Sequence, residues 1–235
     1  MNGSIIAITG GPGLGKSTLT KALADHYHAW AILEGEEADL PERVREDIRD
    51  HKRILELDLF FRNKNVSDYL RAQKIKEEGG IAMLDTFWMT NDVYIEEWLE
   101  EGFEKELLRH MTSMDRGFLP PPDVTICITA SDKTIREMII KRGRAFEMNE
   151  GVLSKFVSMA HAQEAFFRKA NLPNTFYFDR TGLDFNRPED LRRFTEIIDK
   201  HMNLTIPLAD PVVRFYRPKD KDVQIPLPAE DQIGN

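Results

Sequence analysis

The chain has 235 residues, 41 % hydrophobic and 31 % charged, with 32 Lys and Arg against 40 Asp and Glu for a net charge of -8. That length suits one well-buried α/β core. The acidic balance argues against nucleic acid as a partner, because backbone binding needs clustered positive charge. No apolar run approaches the ~20 residues that span a bilayer, and the start, MNGSIIAITGG, has neither the basic region nor the cleavage pattern of a signal peptide. The expectation is a cytoplasmic protein with no membrane partner.

Five short apolar runs read as strands: residues 4–9, 30–33, 81–84, 124–129 and 175–178. Cys127, the one cysteine, lies within VTICI and reads as a small core side chain. Helical spacing separates the runs. Leu19, Leu23 and Tyr27 share one face; so do Ile135, Met138 and Ile139; so do Val152, Phe156, Met159, Gln163 and Phe167. Pro188 suits a helix start, followed by the stripe Leu191, Phe194, Ile198 and Met202. Strands separated by helices require crossover connections, hence an α/β fold with a parallel sheet covered on both faces.

Two stretches are less regular. In residues 40–79, Ile48, Leu55, Leu59 and Phe60 suggest helix, with RNKNVSD (62–68) expected to interrupt it. After Leu204 come Pro207, Pro211, Pro218, Pro226 and Pro228, which prohibit a long helix. The expected division is a domain over 1–203 and a proline-rich extension over 204–235.

Residues 10–18, GGPGLGKST, match G-x-x-x-x-G-K-[ST] between a strand and a helix. Gly10, Gly13, Leu14, Gly15, Lys16, Ser17 and Thr18 are therefore expected to cradle the phosphates of ATP. Glycines let successive N–H groups point at phosphate oxygens, and the helix adds its positive end. Lys16 supplies a point charge at the β- and γ-phosphates, and Ser17 an oxygen for Mg²⁺. Neither the base-reading motif of GTPases nor the signature of transporter ATPases is present, and the chain is short for a motor. A small kinase remains.

Ligands bind at the carboxyl ends of strands in open α/β sheets, and two such ends carry carboxylates. Glu34 follows residues 30–33 and is a candidate base for an attacking hydroxyl, whereas Glu36 and Glu37 read as a solvated turn. Asp85 follows residues 81–84 and is a candidate for Mg²⁺ or its water shell. Phe87 and Trp88 either flank a flat ligand or are core. In IIKRGRAFE (139–147), Lys141, Arg142 and Arg144 cluster about Gly143 at a helix end. This reads as a lid whose arginines meet the charge of a transferring phosphoryl group. Glu147 is placed to grip a sugar hydroxyl.

Together GPGLGKST, PPDVTICITASDKTIREMIIKRGRAFE and NTFYFDRTGLDFNRPEDLRRF resemble the deoxynucleoside kinase family, from about Ile5 to about Met202. The resemblance implies a five-stranded parallel sheet ringed by helices, usually in a homodimer, for which residues 93–99 and 152–167 either offer a helical face or serve the core alone. It implies Glu34 as the base, Asp85 as the acidic motif residue, Arg142 and Arg144 as lid arginines, and Glu147 as the holder of a 3′-hydroxyl. Departures are Gly35 where the family has proline, Thr86 where it has arginine, and no match for the glutamine that pairs with the base, near which stand Arg62, Asn63 and Asn65. The leading expectation is transfer from ATP to the 5′-hydroxyl of a deoxynucleoside. A nucleoside monophosphate kinase, recruiting Arg43, Arg45 or Arg62 for a second phosphate, and a non-catalytic nucleotide-binding protein are the alternatives.

Overall fold

The computed structural model describes residues 3–35, 40–50 and 52–202. Five strands, β1 (Ser4–Gly10), β2 (Trp30–Ile32), β3 (Ile81–Leu84), β4 (Val124–Thr129) and β5 (Thr175–Asp179), form one parallel sheet in the order β2-β3-β1-β4-β5. Each strand lies where a short β-branched or aromatic run predicts it, within a residue at either end. β1 is central, pairing Ala7 with Leu84 of β3 and Thr9 with Cys127 of β4. Its alternating side chains divide the core: Ile6 and Ile8 face one cluster, Ile5 and Ala7 the other. A sheet buried on both faces explains why its strands read as continuous apolar runs.

The helices are α1 (Lys16–Tyr27), α2 (Glu42–Asp50), α3 (Ile54–Glu77), α4 (Thr90–Trp98), α5 (Phe103–Phe118), α6 (Asp132–Arg142), α7 (Glu150–Ala170) and α8 (Pro188–Met202). The predicted stripes are the buried ones: Leu19, Leu23 and Tyr27 on α1, Ile135 and Ile139 on α6, Phe156, Met159, Gln163 and Phe167 on α7, Phe194 and Ile198 on α8. Cys127 is buried, as are Phe87 and Trp88, which belong to the core rather than to a ligand wall. No helix among the described residues is long and apolar enough to cross a membrane. The proline-rich extension, the Glu36–Glu37 turn and the side chain of Met202 lie outside the described residues.

One expectation is corrected and one alternative is decided. RNKNVSD does not interrupt α3, which runs unbroken for 24 residues. Its polar residues are satisfied by neighbours instead of by turns: Lys64 pairs with Asp68 one turn on, Arg62 with Asp115 of α5, and buried Asn65 donates to Asn91 Oδ1 at 2.8 Å. Of the two roles open to residues 93–99 and 152–167, the core takes most of the apolar side chains, which leaves them unavailable as a face for a second copy. Val93 and Ile95 are buried, the Trp98 ring packs tilted against Phe156 with centroids 6.2 Å apart, and its indole N–H points to Met159 Sδ at 2.8 Å.

Candidate active site

The phosphate loop leaves the end of β1 and turns into α1 at Gly15, whose left-handed backbone (φ 77°) caps the helix. A Cβ there would stand 2.8 Å from Arg180 Nη1 and 2.9 Å from Phe185 Cδ2, so only glycine fits this close approach. Leu19 N–H already bonds the Gly15 carbonyl at 3.0 Å. The N–H groups of the first turn of α1 have no partner in the helix and provide the positive end of its dipole for an anion. Lys16 folds back over the loop, donating to the carbonyls of Gly10 at 3.0 Å and Gly11 at 3.2 Å. Burial lowers its pKa, and the nearby Glu34 and Asp85 carboxylates pull it back up.

Because β1 and β3 are neighbours, the ends of two strands far apart in sequence meet. Ser17 Oγ donates to Asp85 Oδ2 at 2.6 Å, and the backbone N–H of Glu34 donates to Asp85 Oδ1 at 2.6 Å. Asp85 is buried and thus ties the phosphate loop to the end of β2. Burial pushes its carboxyl up, while the Ser17 and Glu34 hydrogen bonds hold it down. Glu34 has no such offset from hydrogen bonds among the described residues. Burial first, then the Asp85 charge, carries its pKa upward against Lys16 and Lys64. Gly35 follows with φ 97°, a conformation closed to the proline expected from the resemblance.

At the end of α6, Gly143 (φ 76°) stops the helix and a short 3-10 turn, Ala145–Met148, carries Glu147 inward until it is buried. Both lid arginines converge on it. Arg142 forks onto its two oxygens, with Nε at 3.0 Å from Oε2, and Arg144 Nη1 stands 3.6 Å from Oε1. Lys16, Arg142, Arg144 and Glu147 line a cleft together with Pro12, Ile48, Ile54, Leu57, Phe61, Tyr94, Trp98 and Phe156. A second cavity shares Asp58, Phe61 and Tyr94 with it and adds Glu34, Arg62, Asn65, Asn91, Ile95 and Leu108. Glu34 lines this second, deeper-set cavity while its charge acts on Lys16 of the phosphate loop.

Several of these residues are missed in the sequence. Asp58 lines both cavities, and its Oδ2 is buried with no hydrogen-bond partner among the described residues. Burial alone pushes its carboxyl up to about 7. The signal for it was the spacing 54, 57, 58, 61, 65, a helical stripe into which one carboxylate intrudes. Lys64 reaches the Leu33 carbonyl at 3.4 Å and places positive charge near Glu34 and Asp85, a neighbourhood in which Thr86 supplies none. Tyr94 comes from α4, and burial raises its phenol pKa.

Ser17 and Asp85 offer a hydroxyl and a carboxylate, hard oxygen donors suited to Mg²⁺. No group of three or more His, Cys, Asp or Glu side chains among the described residues could hold a metal alone. A cation here would need phosphate oxygens to complete its shell, which is how Mg²⁺ is commonly bound.

The family described as AAA domain matches residues 5–163, more than half of the sequence and all of the phosphate loop and lid. The chain belongs to the AAA domain family. No curated protein matches the sequence. Among solved structures, deoxyadenosine kinase from M. mycoides with dCMP and a flexible dCDP is similar at a TM-score of 0.66 and 18 % identity, covering 85 % of this chain and 98 % of that one. The same enzyme with dCTP gives 0.65 and 16 % over 85 % and 98 %, and with dATP 0.66 and 17 % over 85 % and 99 %. These likenesses show that this AAA-domain chain has the fold of that kinase, a five-stranded parallel sheet flanked by helices.

Proposed function

We propose that the protein transfers the γ-phosphoryl group of ATP to the 5′-hydroxyl of a deoxynucleoside. The observation that carries this reading is the position of Glu34, a carboxylate with raised pKa that lines a cavity with Phe61 and Tyr94 and whose charge reaches Lys16 of the phosphate loop. A nucleotide hydrolase needs water there; a cavity of this kind accommodates an organic acceptor. The fold shared with a deoxyadenosine kinase supports the class of acceptor.

In this reading Gly10, Gly13, Leu14, Gly15, Lys16, Ser17 and Thr18 hold the triphosphate. Ser17 and Asp85 would hold Mg²⁺, which when bound neutralises charge on the phosphates. Glu34 accepts the proton of the 5′-hydroxyl as its oxygen bonds the γ-phosphorus and the bond to the β–γ bridging oxygen breaks, giving a 5′-monophosphate and ADP. Arg142 and Arg144 stabilise the moving charge, and Glu147 takes the 3′-hydroxyl. A monophosphate acceptor is disfavoured because Arg62, the cation nearest the deeper cavity, is already held by Asp115 through Nε at 2.8 Å and Nη2 at 2.5 Å. The reading also places the protein in the cytoplasm as a homodimer. Phe103, Met114 and Phe118, exposed along α5, are the surface proposed for the second copy.

Glu34→Gln keeps size and hydrogen bonding but removes the charge. Steady-state kinetics with a panel of deoxynucleosides and monophosphates should show kcat falling ~10²–10⁴-fold, the scale of general-base help, with ATP KM little changed. Undiminished kcat would end the assignment, and turnover of monophosphates alone would favour the monophosphate kinase.

A further inference from the structure

Arg180, the first residue after β5, is the largest fully buried side chain of the described residues, at 1 % exposure. It forms no ion pair among those residues. Its Nη1 donates to the Leu14 carbonyl at 2.5 Å and its Nη2 to the Leu183 carbonyl at 2.7 Å, while the guanidinium lies 3.9 Å over the Phe185 ring. Nη2 also approaches Met138 Sδ of α6 at 3.4 Å. Burial pushes the pKa down to about 10, which leaves the group charged at neutral pH. Asp184 and Asp190 offset part of the burial from a distance, but a buried cation without a direct ion pair is costly, and packing alone would be served by an apolar residue of the same volume. The position of its first partner supplies the reason.

Leu14 lies inside the phosphate loop. Across a planar trans peptide, the carbonyl of Leu14 and the N–H of Gly15 point in opposite directions. Gripping that carbonyl from behind the loop fixes the Gly15 N–H toward the side where phosphate oxygens would bind. A Gly15 without room for a Cβ beside Nη1 lets the guanidinium come this close. We infer that Arg180 is a positioning residue for the donor triphosphate, acting through the Leu14–Gly15 peptide and adding a fixed positive charge beneath the phosphate loop. The inference rests on the phosphate loop binding ATP, and on nothing about the acceptor. The segment that follows reinforces the hold: Phe185 packs on Gly15, and Asp184 pairs with Lys141 of the lid helix.

The test uses the full chain and two probes, ATP and inorganic tripolyphosphate, titrated by calorimetry with Mg²⁺ present. Arg180→Met removes the charge and both hydrogen bonds while keeping an unbranched apolar side chain. It should weaken both probes ~10–100-fold, the range for losing a hydrogen bond to a charged group, and raise the KM for ATP while the KM for the acceptor stays within about twofold. Arg180→Lys keeps the charge and reaches one carbonyl, so it should recover part of the loss; if Arg180→Met fails to fold, Arg180→Lys alone carries the same comparison. Unchanged affinity for tripolyphosphate in a folded variant, or equal losses for donor and acceptor, overturns the inference. Wild-type protein that binds neither probe would instead overturn the nucleotide reading itself.

Discussion

Asp58→Asn should stabilise the protein at alkaline pH. The Asp58 carboxyl has no hydrogen bond among the described residues to offset its burial, and its pKa rises from an ordinary 3.8 to about 7. A raised pKa means that the folded state keeps a proton the unfolded chain has released. The stability contributed by the neutral carboxyl is whole below the unfolded pKa and is lost as pH climbs through about 7. A rise of this size corresponds to roughly 4 kcal/mol, at 1.36 kcal/mol for each tenfold change in the ionisation equilibrium; water entering the half-open cleft reduces this to ~2 kcal/mol. Asparagine cannot ionise, so the variant should match the wild type near pH 4 and exceed it by ~2 kcal/mol at pH 8. For a domain of this size that is about 4–8 °C in Tm. Thermal unfolding at pH 4.5, 6 and 8 with both proteins reads the difference directly. Parallel pH profiles would show that Asp58 is solvated or paired and refute the reasoning. The stability gained should cost function: if an acceptor N–H meets this carboxylate, the acceptor KM of the variant rises ~10-fold or more, while the KM for ATP holds.

Glu147→Gln should raise the acceptor KM far more than the KM for ATP, measured at saturating co-substrate; equal changes in both would confine Glu147 to holding Arg142 and Arg144. Light scattering at micromolar concentration should give about twice the chain mass of 27.2 kDa, and Met114→Glu with Phe118→Glu should return it to one chain. A wild-type particle of single-chain mass would remove the dimer.

The strands were legible because each is short, apolar and bounded by polar or glycine residues, and because a phosphate loop announces the strand and helix that flank it. α3 was not, since RNKNVSD looks like a turn until Asp115, Asp68 and Asn91 are seen to satisfy its polar groups. α5 escaped for a related reason: its buried side includes Lys105, Thr112 and Asp115, so the apolar residues a reader would assign inward, Phe103, Met114 and Phe118, face out. At the site, strand-end position was enough to single out Glu34 and Asp85, but their meeting with Ser17 depends on β3 lying beside β1, a pairing that no local pattern encodes. The same is true of Arg180, which lies 166 positions from Leu14.

α3 brings Ile54, Leu57, Asp58, Phe61, Arg62 and Asn65 to the cleft from one uninterrupted rod, whereas the phosphate-loop residues and their Asp85 anchor stand on the ends of the sheet. On the proposed function, much of the acceptor wall and the phosphate-handling residues are inherited on separate pieces of chain. On that function, a lineage could tune the acceptor largely through substitutions along α3, each screened for fit, without touching the strand ends that hold phosphate. Gene duplicates of this protein should diverge first in residues 54–65 and last in residues 10–18.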